Sequence, residues 1–183
     1  VQQNYPGGVP KMGAVENADG TVTSCLAAPG KKSVILVPSW DDYQTLDKNV
    51  MKYQDYNGNR YFWTTVSGLD PNKEYPYYYV VDATIKVGDP YAKLVLDPYS
   101  DKWLDKNVYP GLINYPFEKG LDGIMLAVYK GTRDNYNWKV KNFVAPDKKD
   151  LIIYEMLFRD FTGTEGKADG NGTIRDAIAK IPY

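Results

Sequence analysis

Side chains that commonly carry out catalysis or bind metals are scarce in this sequence. It contains no histidine, which excludes Ser-His-Asp and Cys-His mechanisms, the HExxH metal helix and every imidazole ligand set. Cys25 is the single cysteine, so the chain can form neither an internal disulfide nor a CxxC zinc site. The alternating pattern at 21–26 predicts that Cys25 is a small, half-buried strand residue rather than a reactive thiol.

Two loops rich in oxygen atoms, at 55–59 and 169–172, are the candidates for a metal site. Neither has the alternating carboxylates and the terminal Glu of a calcium loop. Their Asn-Gly and Asp-Gly pairs are instead typical of turns. We therefore expect turns at both places and predict no metal ion or other cofactor.

The size and charge of the chain restrict its partners. Its 183 residues suit one sizeable domain, or one domain with a fragment of a second. The 22 Lys and Arg balance 23 Asp and Glu, and no basic run forms the stripe that nucleic-acid binding requires. The longest apolar runs, such as that at 34–38, are far shorter than the ~20 residues that cross a bilayer. We therefore expect neither a nucleic-acid partner nor a membrane span.

The chain begins at Val1, without an initiating Met or an apolar signal core. A removed leader and a start inside a longer sequence would each explain this. The sequence alone does not choose between them, and a secreted or periplasmic location is favoured over a cytoplasmic one.

Aromatic residues are the dominant compositional feature, with 17 Tyr, 5 Phe and 4 Trp. Many lie in short runs separated by turn residues at roughly ten-residue spacing, which is typical of antiparallel sandwiches and barrels. The strongest hairpin signal is Asn57-Gly58, because both residues tolerate the positive φ of a type I′ turn. The predicted strands are 11–17, 20–27, 33–38, 51–56, 60–67, 75–82 and 124–130.

The character of the chain changes after this β region. Residues 89–123, with two Asp-Pro-Tyr turns, predict a long ordered loop that packs its aromatic side chains on the sandwich. Residues 151–156 predict a buried strand, and a Gly-rich loop follows at 163–172. Thr173 then precedes apolar residues at 174, 177, 178 and 181, spaced as one face of a helix. We therefore predict a sandwich at 1–146 and an incomplete α/β unit at 147–183.

Blocks of this sequence occur in the order found in glycoside hydrolase family 13. The blocks SVILVPSWDDY at 33–43, YFWTTVSGL at 61–69, YYYVVD at 77–82 and DPYA at 89–92 resemble that family's N-terminal early-set immunoglobulin-like domain. This domain is related to carbohydrate-binding module family 48. The segment IIYEMLFRDFT at 152–162 looks like the first strand of the family's catalytic barrel, and residues 172–183 are similar to its first helix.

The resemblance implies a mainly β chain, namely an immunoglobulin-like antiparallel β-sandwich followed by the first β-strand and α-helix of a truncated (β/α)8 barrel. It also implies an α-glucan context such as starch, glycogen or pullulan. Retaining members need two carboxyl groups about 5 to 5.5 Å apart, which the family carries on its fourth and fifth barrel strands. Because residues 1–183 stop before those strands, we expect this chain to be inactive and its parent protein to be the enzyme.

Three acidic residues could be mistaken for catalytic groups. Asp134, in the sequence Gly-Thr-Arg-Asp at 131–134, mimics the family's nucleophile motif, but it comes one residue early and before the barrel. Glu155 and Asp160 are expected to be structural, pairing with Arg159 or capping backbone groups. No catalytic residue is therefore assigned.

Sugar binding is suggested by the positions that match the platform of glycogen-binding members, where aromatic faces stack on glucose rings. Tyr43 falls at the first platform Trp, while Trp40 takes the place of an inward Phe. We therefore expect Trp40 in the core and Tyr43 facing outward. Ile85 and Lys86 stand where the second Trp is expected, and Tyr78 replaces a lysine. The resemblance thus implies Tyr43, Tyr78 and Lys86 as substrate-binding candidates on a platform of which half is missing.

The favoured function is that of a non-catalytic accessory domain that packs on and orients the catalytic barrel of the same parent protein. That parent would be of the α-amylase, pullulanase/isoamylase or branching-enzyme type. The alternative is an autonomous starch- or glycogen-binding module with an α-glucan partner. A third class, a generic immunoglobulin-like adhesion domain, predicts no barrel after residue 183. The tyrosine excess is equally explained by sheet faces and a barrel interface.

Overall fold

A computed structural model describes residues 1–132, 137–163 and 172–181. The chain divides into two compact units, one of residues 1–103 with 113–134 and the other of residues 104–112 with 135–183. Among the described residues, the first unit holds nine strands and the second holds two short α-helices. The predicted boundary between two domains at residue 146 stays a prediction.

The strands of the first unit form two antiparallel sheets. They are β1 (Gly13–Glu16), β2 (Val22–Ala27), β3 (Val34–Pro38), β4 (Lys52–Tyr56), β5 (Asn59–Val66), β6 (Tyr75–Val81), β7 (Ile85–Val87), β8 (Val95–Leu96) and β9 (Leu126–Tyr129). One sheet has the order β1-β2-β5-β4, and the other has the order β3-β6-β9-β8 with β7 also paired to β6. This mainly β, antiparallel architecture is consistent with the predicted sandwich.

Apolar side chains from both sheets share one core. Leu26 and Phe62 of the first sheet belong to the same buried cluster as Leu36 and Tyr79 of the second. Four of the five residues of β3 are buried, as the apolar run at 34–38 predicts. Removing such surface from water stabilises the fold by about 25 cal/mol per Å² of apolar area.

Cys25 lies in β2, where the alternating pattern predicted a strand residue. Its side chain is completely buried, more deeply than expected, beside Trp63 and Tyr5. Burial, with a smaller contribution from the Asp89 carboxylate, raises the pKa of the thiol to about 12. A thiol of this kind stays protonated at neutral pH and is a poor nucleophile.

The β4–β5 hairpin turns at the predicted dipeptide. Asn57 and Gly58 have φ angles of 48° and 78°, as a type I′ turn requires. Asp55 and Arg60 face each other across the hairpin, and the guanidinium donates to both carboxylate oxygens at 2.8 Å. The first candidate calcium loop is therefore a hairpin turn whose carboxylate is bound by arginine. Residues 169–171 of the second candidate loop lie outside the described residues.

The second unit contains α1 (Phe158–Phe161) and α2 (Ile174–Ile178). The predicted helix start is confirmed, because the Thr173 hydroxyl accepts from the backbone N–H of Asp176, while the Asp176 carboxylate accepts from the N–H of Thr173. This reciprocal arrangement is a capping box. Helix α1 was not predicted.

The buried strand predicted at 151–156 is not formed. The segment has no strand partner among the described residues, and the side chains of Ile152 and Ile153 are 99% and 83% exposed. A β-strand needs a neighbouring strand to satisfy its backbone N–H and C=O groups. An apolar pattern that predicts a strand therefore yields an exposed, irregular segment here.

Candidate functional site

Tyr43 follows a tight turn after β3. The 3-10 turn Ser39–Asp41 precedes two residues with positive φ, Asp42 at 53° and Tyr43 at 57°, and the Asp41 carboxylate accepts from the side-chain amide of Asn49 at 2.8 Å. Tyr43 is half-buried and is therefore less exposed than the sequence-based expectation. Burial, with smaller effects of Glu118 and Tyr115, raises its pKa to about 12.

Trp40 is packed against the main core but is itself only half-buried. Its ring makes an edge-to-face contact with Tyr75, with 5.6 Å between the ring centroids. Trp40 and Tyr43 thus have similar intermediate burial, because both lie on a surface turn that a second segment approaches. That segment is the 3-10 turn Phe117–Lys119, whose Lys119 forms an ion pair with Asp42.

Tyr78 and Lys86 lie on the neighbouring strands β6 and β7. Tyr78 is buried, and burial raises the pKa of its hydroxyl, while nearby Lys86 opposes and Asp122 adds to the increase. Lys86 pairs with Asp122 in an ion pair. Two of the three predicted binding residues therefore share one small charged environment.

Tyr115 is electrostatically coupled to both Tyr43 and Tyr78. Its hydroxyl donates to the backbone oxygen of Ile124 at 2.7 Å, which holds the buried ring in place. Burial raises its pKa, and Tyr99, Tyr78 and Asp122 contribute to the increase. The three sequence-predicted residues are thus brought to one region of the surface by residues from the loop between β8 and β9.

We call this region the aromatic patch, defined by Tyr43, Tyr78, Tyr99, Tyr115 and Phe117. Its most accessible rings are Phe117 and Tyr99, which are 65% and 63% exposed. The rings of Phe117 and Tyr115 are 4.8 Å apart. Sequence reasoning missed Tyr99, Tyr115 and Phe117. The signal available was a proline next to each ring, in Asp-Pro-Tyr at 97–99 and Tyr-Pro-Phe at 115–117. Proline favours turns, and turns lie at the protein surface.

Exposed rings beside a Lys–Asp ion pair can bind a ligand that has both an apolar face and hydroxyl groups. The rings supply stacking surface, and the charged groups donate to and accept from hydroxyls. Within the described residues, no group of three His, Cys, Asp or Glu is arranged to hold a metal ion. No helix among those residues is long and apolar enough to span a membrane.

The remaining acidic candidates are not assembled into a site. Asp160 pairs with its neighbour Arg159 at 3.2 Å on an exposed surface, and Glu155 is exposed. Thr132 donates to the backbone oxygen of Pro71 at 2.9 Å, which fixes the turn after β9. Residues 133 and 134 of the nucleophile-like sequence lie outside the described residues.

The chain matches no protein-family model and no curated protein. It is similar to a solved structure of a protein from Salmonella typhimurium assigned as an alpha amylase, with 22% identity, coverage of 96% of this chain and 23% of that chain, and a TM-score of 0.49. It is similar to the catalytic module of the glycogen-degrading pneumococcal virulence factor SpuA, with 22% identity and a TM-score of 0.45. This match covers 85% of this chain and 22% of that chain. It is also similar to the GBS pullulanase SAP in complex with maltotetraose, with 24% identity and a TM-score of 0.36. This match covers 53% of this chain and 13% of that chain. The chain spans less than a quarter of each of these proteins.

Proposed function

We propose that the sandwich is a non-catalytic accessory domain of an α-glucan-acting glycoside hydrolase. In this proposal, residues 147–183 contribute the first strand and helix of the (β/α)8 barrel on which the domain packs. The parent enzyme would be of the α-amylase, pullulanase/isoamylase or branching-enzyme type. The ordered sequence blocks at 33–92 and 152–162 provide the α-glucan context.

The observation that carries the proposal is the exposure of apolar side chains in the second unit. Ile152 and Ile153 are almost fully exposed, and Ile174, Ile178 and Ile181 of the helical segment are more than half exposed. Apolar surface left in water costs about 25 cal/mol per Å². Neighbouring barrel strands and helices would cover both sets of side chains, because the interior and the helix-facing surface of a barrel are apolar.

The experiment compares the same substitutions in two proteins. Ile152→Ser with Ile153→Ser is made in residues 1–183 and in the product of the whole parent reading frame, and Tm is measured for both. We expect no change in residues 1–183, where the side chains are exposed, and a Tm lower by several degrees in the parent, where they would be buried.

Val9→Ser serves as the control, because Val9 is 52% exposed in the first unit and should be silent in both proteins. Two results would contradict the proposal. One is an unchanged Tm in the parent carrying both serines, and the other is a reading frame that encodes no barrel after residue 183.

A second candidate function is α-glucan binding by the aromatic patch, which the exposure of Phe117 and Tyr99 favours. Affinity electrophoresis in glycogen gels distinguishes it from a purely structural role. Binding predicts retardation that Phe117→Ala and Tyr43→Ala reduce and that Trp103→Ala, an exposed ring outside the patch, leaves unchanged. Mobility that glycogen does not alter would rule out glucan binding by the aromatic patch.

A further inference from the structure

A cleft in the first unit is separate from the aromatic patch. Its volume is about 360 Å³, and its walls come from the edge strand β1 of one sheet, the strand β9 of the other, and the turn at 91–93. This volume lies within the range of small-molecule sites, which is about 300 to 1,000 Å³. The cleft therefore has room for a short oligosaccharide.

Tyr91 provides an exposed ring in the cleft on a rigid support. Its backbone N–H donates to Oδ1 of the buried Asp89 at 2.8 Å, and Oδ2 of the same carboxylate accepts from the hydroxyls of Tyr77 and Tyr79. Gly13 lets the turn approach β1, since a Cβ there would lie 3.0 Å from the Cβ of Tyr91 and φ is +88°. The ring is 55% exposed although its backbone is fixed, which is the arrangement that a stacking platform requires.

Polar groups of both signs surround this ring. Glu16 of β1 and Tyr129 of β9 line the cleft from strands of the two different sheets. Burial, with a smaller effect of the Glu16 carboxylate, raises the pKa of Tyr129. Lys93 and Lys130 also line the cleft. None of Glu16, Lys93 and Lys130 has an ion-pair partner in the part of the chain that the structure describes. Their donors and acceptors are thus available to a ligand.

We propose that this cleft binds a short, uncharged α-glucan, with a glucose ring stacked on Tyr91 and its hydroxyls bonded by Glu16, Lys93 and Lys130. The presence of a carboxylate beside the lysines favours a neutral polyol, which both donates and accepts, over an anion that Glu16 would repel. The choice of an α-linked sugar rests on the proposed function. The proposal that the cleft binds a sugar does not rest on the proposed function, because it depends only on the residues that line the cleft.

The test is titration of residues 1–183 with maltotriose, followed by NMR chemical shifts of the backbone amides and by calorimetry. We expect shifts at residues 13–16, 91–93 and 129–130. Tyr91→Ala should raise the Kd about tenfold or more through loss of the stacking surface. Glu16→Gln should raise the Kd less. Both side chains are exposed, so neither substitution should unfold the domain, which Tm verifies.

The chain offers a matched control in its second Asp-Pro-Tyr turn. Tyr99 is also accessible and its N–H also donates to the preceding Asp97 at 2.8 Å, yet it lies in the aromatic patch. Because the aromatic patch is itself a candidate glucan site, the control is measured at the cleft. Tyr99→Ala should leave the maltotriose-induced shifts at residues 13–16, 91–93 and 129–130 unchanged. Three results would overturn the proposal: loss of these shifts in Tyr99→Ala but not in Tyr91→Ala, absence of these shifts at millimolar maltotriose, or shifts with cellotriose but not with maltotriose. These results do not depend on the Tm comparison between residues 1–183 and the parent protein, so the two proposals can fail separately.

Discussion

The hydroxyl of Tyr77 lies 2.7 Å from Oδ2 of Asp89, and both residues are buried. Tyr79 donates to the same oxygen at 3.1 Å. Burial and the adjacent carboxylate raise the pKa of Tyr77, so its hydroxyl remains a donor throughout the physiological range. One carboxylate therefore joins the central strand β6 to the turn that carries Tyr91.

Replacing this carboxylate should destabilise the domain. Asp89→Ala leaves two buried hydroxyls without their acceptor and frees the backbone N–H of Tyr91. An unsatisfied buried polar group costs about 1 to 3 kcal/mol, so we expect the free energy of unfolding to fall by about 2 to 4 kcal/mol. Urea denaturation measures this loss.

The corresponding aspartate of the second turn is the control. Asp97 accepts from the N–H groups of Tyr99 and Ser100, but it binds no buried hydroxyl. Asp97→Ala should therefore cost clearly less than Asp89→Ala. Equal losses would show that the turn, and not the buried tyrosine network, accounts for the effect.

Alkaline pH should weaken the fold partly through Tyr43. The unfolded chain releases this proton near the ordinary tyrosine pKa of about 10, whereas burial raises the pKa in the folded chain to about 12. The stabilisation is complete below pH 10 and is lost as the pH rises towards 12, because the unfolded state then binds fewer protons.

Tyr43→Phe should make the decline of stability between pH 10 and pH 12 less steep. Absorbance at 295 nm checks the assignment directly, since the difference between the unmodified chain and the variant should titrate near pH 12. A difference spectrum that titrates near pH 10 would show that Tyr43 is solvated.

The hairpin turn should be sensitive to a single methyl group. Gly58 has a φ of +78°, and a Cβ would meet no atom within 4 Å, so the effect of Gly58→Ala comes from the backbone alone. We expect a loss of about 1 kcal/mol, measured as a lower urea midpoint. Gly111→Ala, at an open position with no positive φ, should stay within about 0.5 kcal/mol.

Proteases should cut the exposed segment of the second unit before the strands of the first unit. The turn Lys148–Asp150 is exposed, as are the apolar residues at 151–154. Trypsin at low concentration should therefore leave a fragment of about residues 1–148, identified by mass spectrometry. First cleavage inside β2, β5 or β6, or resistance of the whole chain, would contradict this expectation.

Purified residues 1–183 should hydrolyse no α-glucan. Retaining hydrolysis needs two carboxyl groups about 5 to 5.5 Å apart, whereas Glu155 and Asp160 lie on exposed surface and Asp160 pairs with Arg159. Reducing-sugar release from soluble starch measures activity. Release that co-elutes with the chain and exceeds a mock preparation would prove the expectation wrong.

Features that depend on neighbouring residues were predictable from the sequence. The Asn57-Gly58 turn, the strands that flank it, the buried run in β3 and the Thr173 cap all appear where the residues indicate them. In each case the preference comes from backbone φ angles, side-chain alternation or a hydrogen bond within three residues. Such interactions are present in the local sequence itself.

Features that need partners distant in the chain were not predictable. Tyr115 lies near Tyr43 and Tyr78 only because the loop after β8 returns to the sheet that holds β3 and β6. The Asp89 carboxylate that accepts from the N–H of Tyr91 also accepts from two hydroxyls of β6. The apolar pattern at 151–156 formed no strand for the same reason. Burial and β-pairing depend on what lies opposite a residue, which a pattern along the chain does not contain.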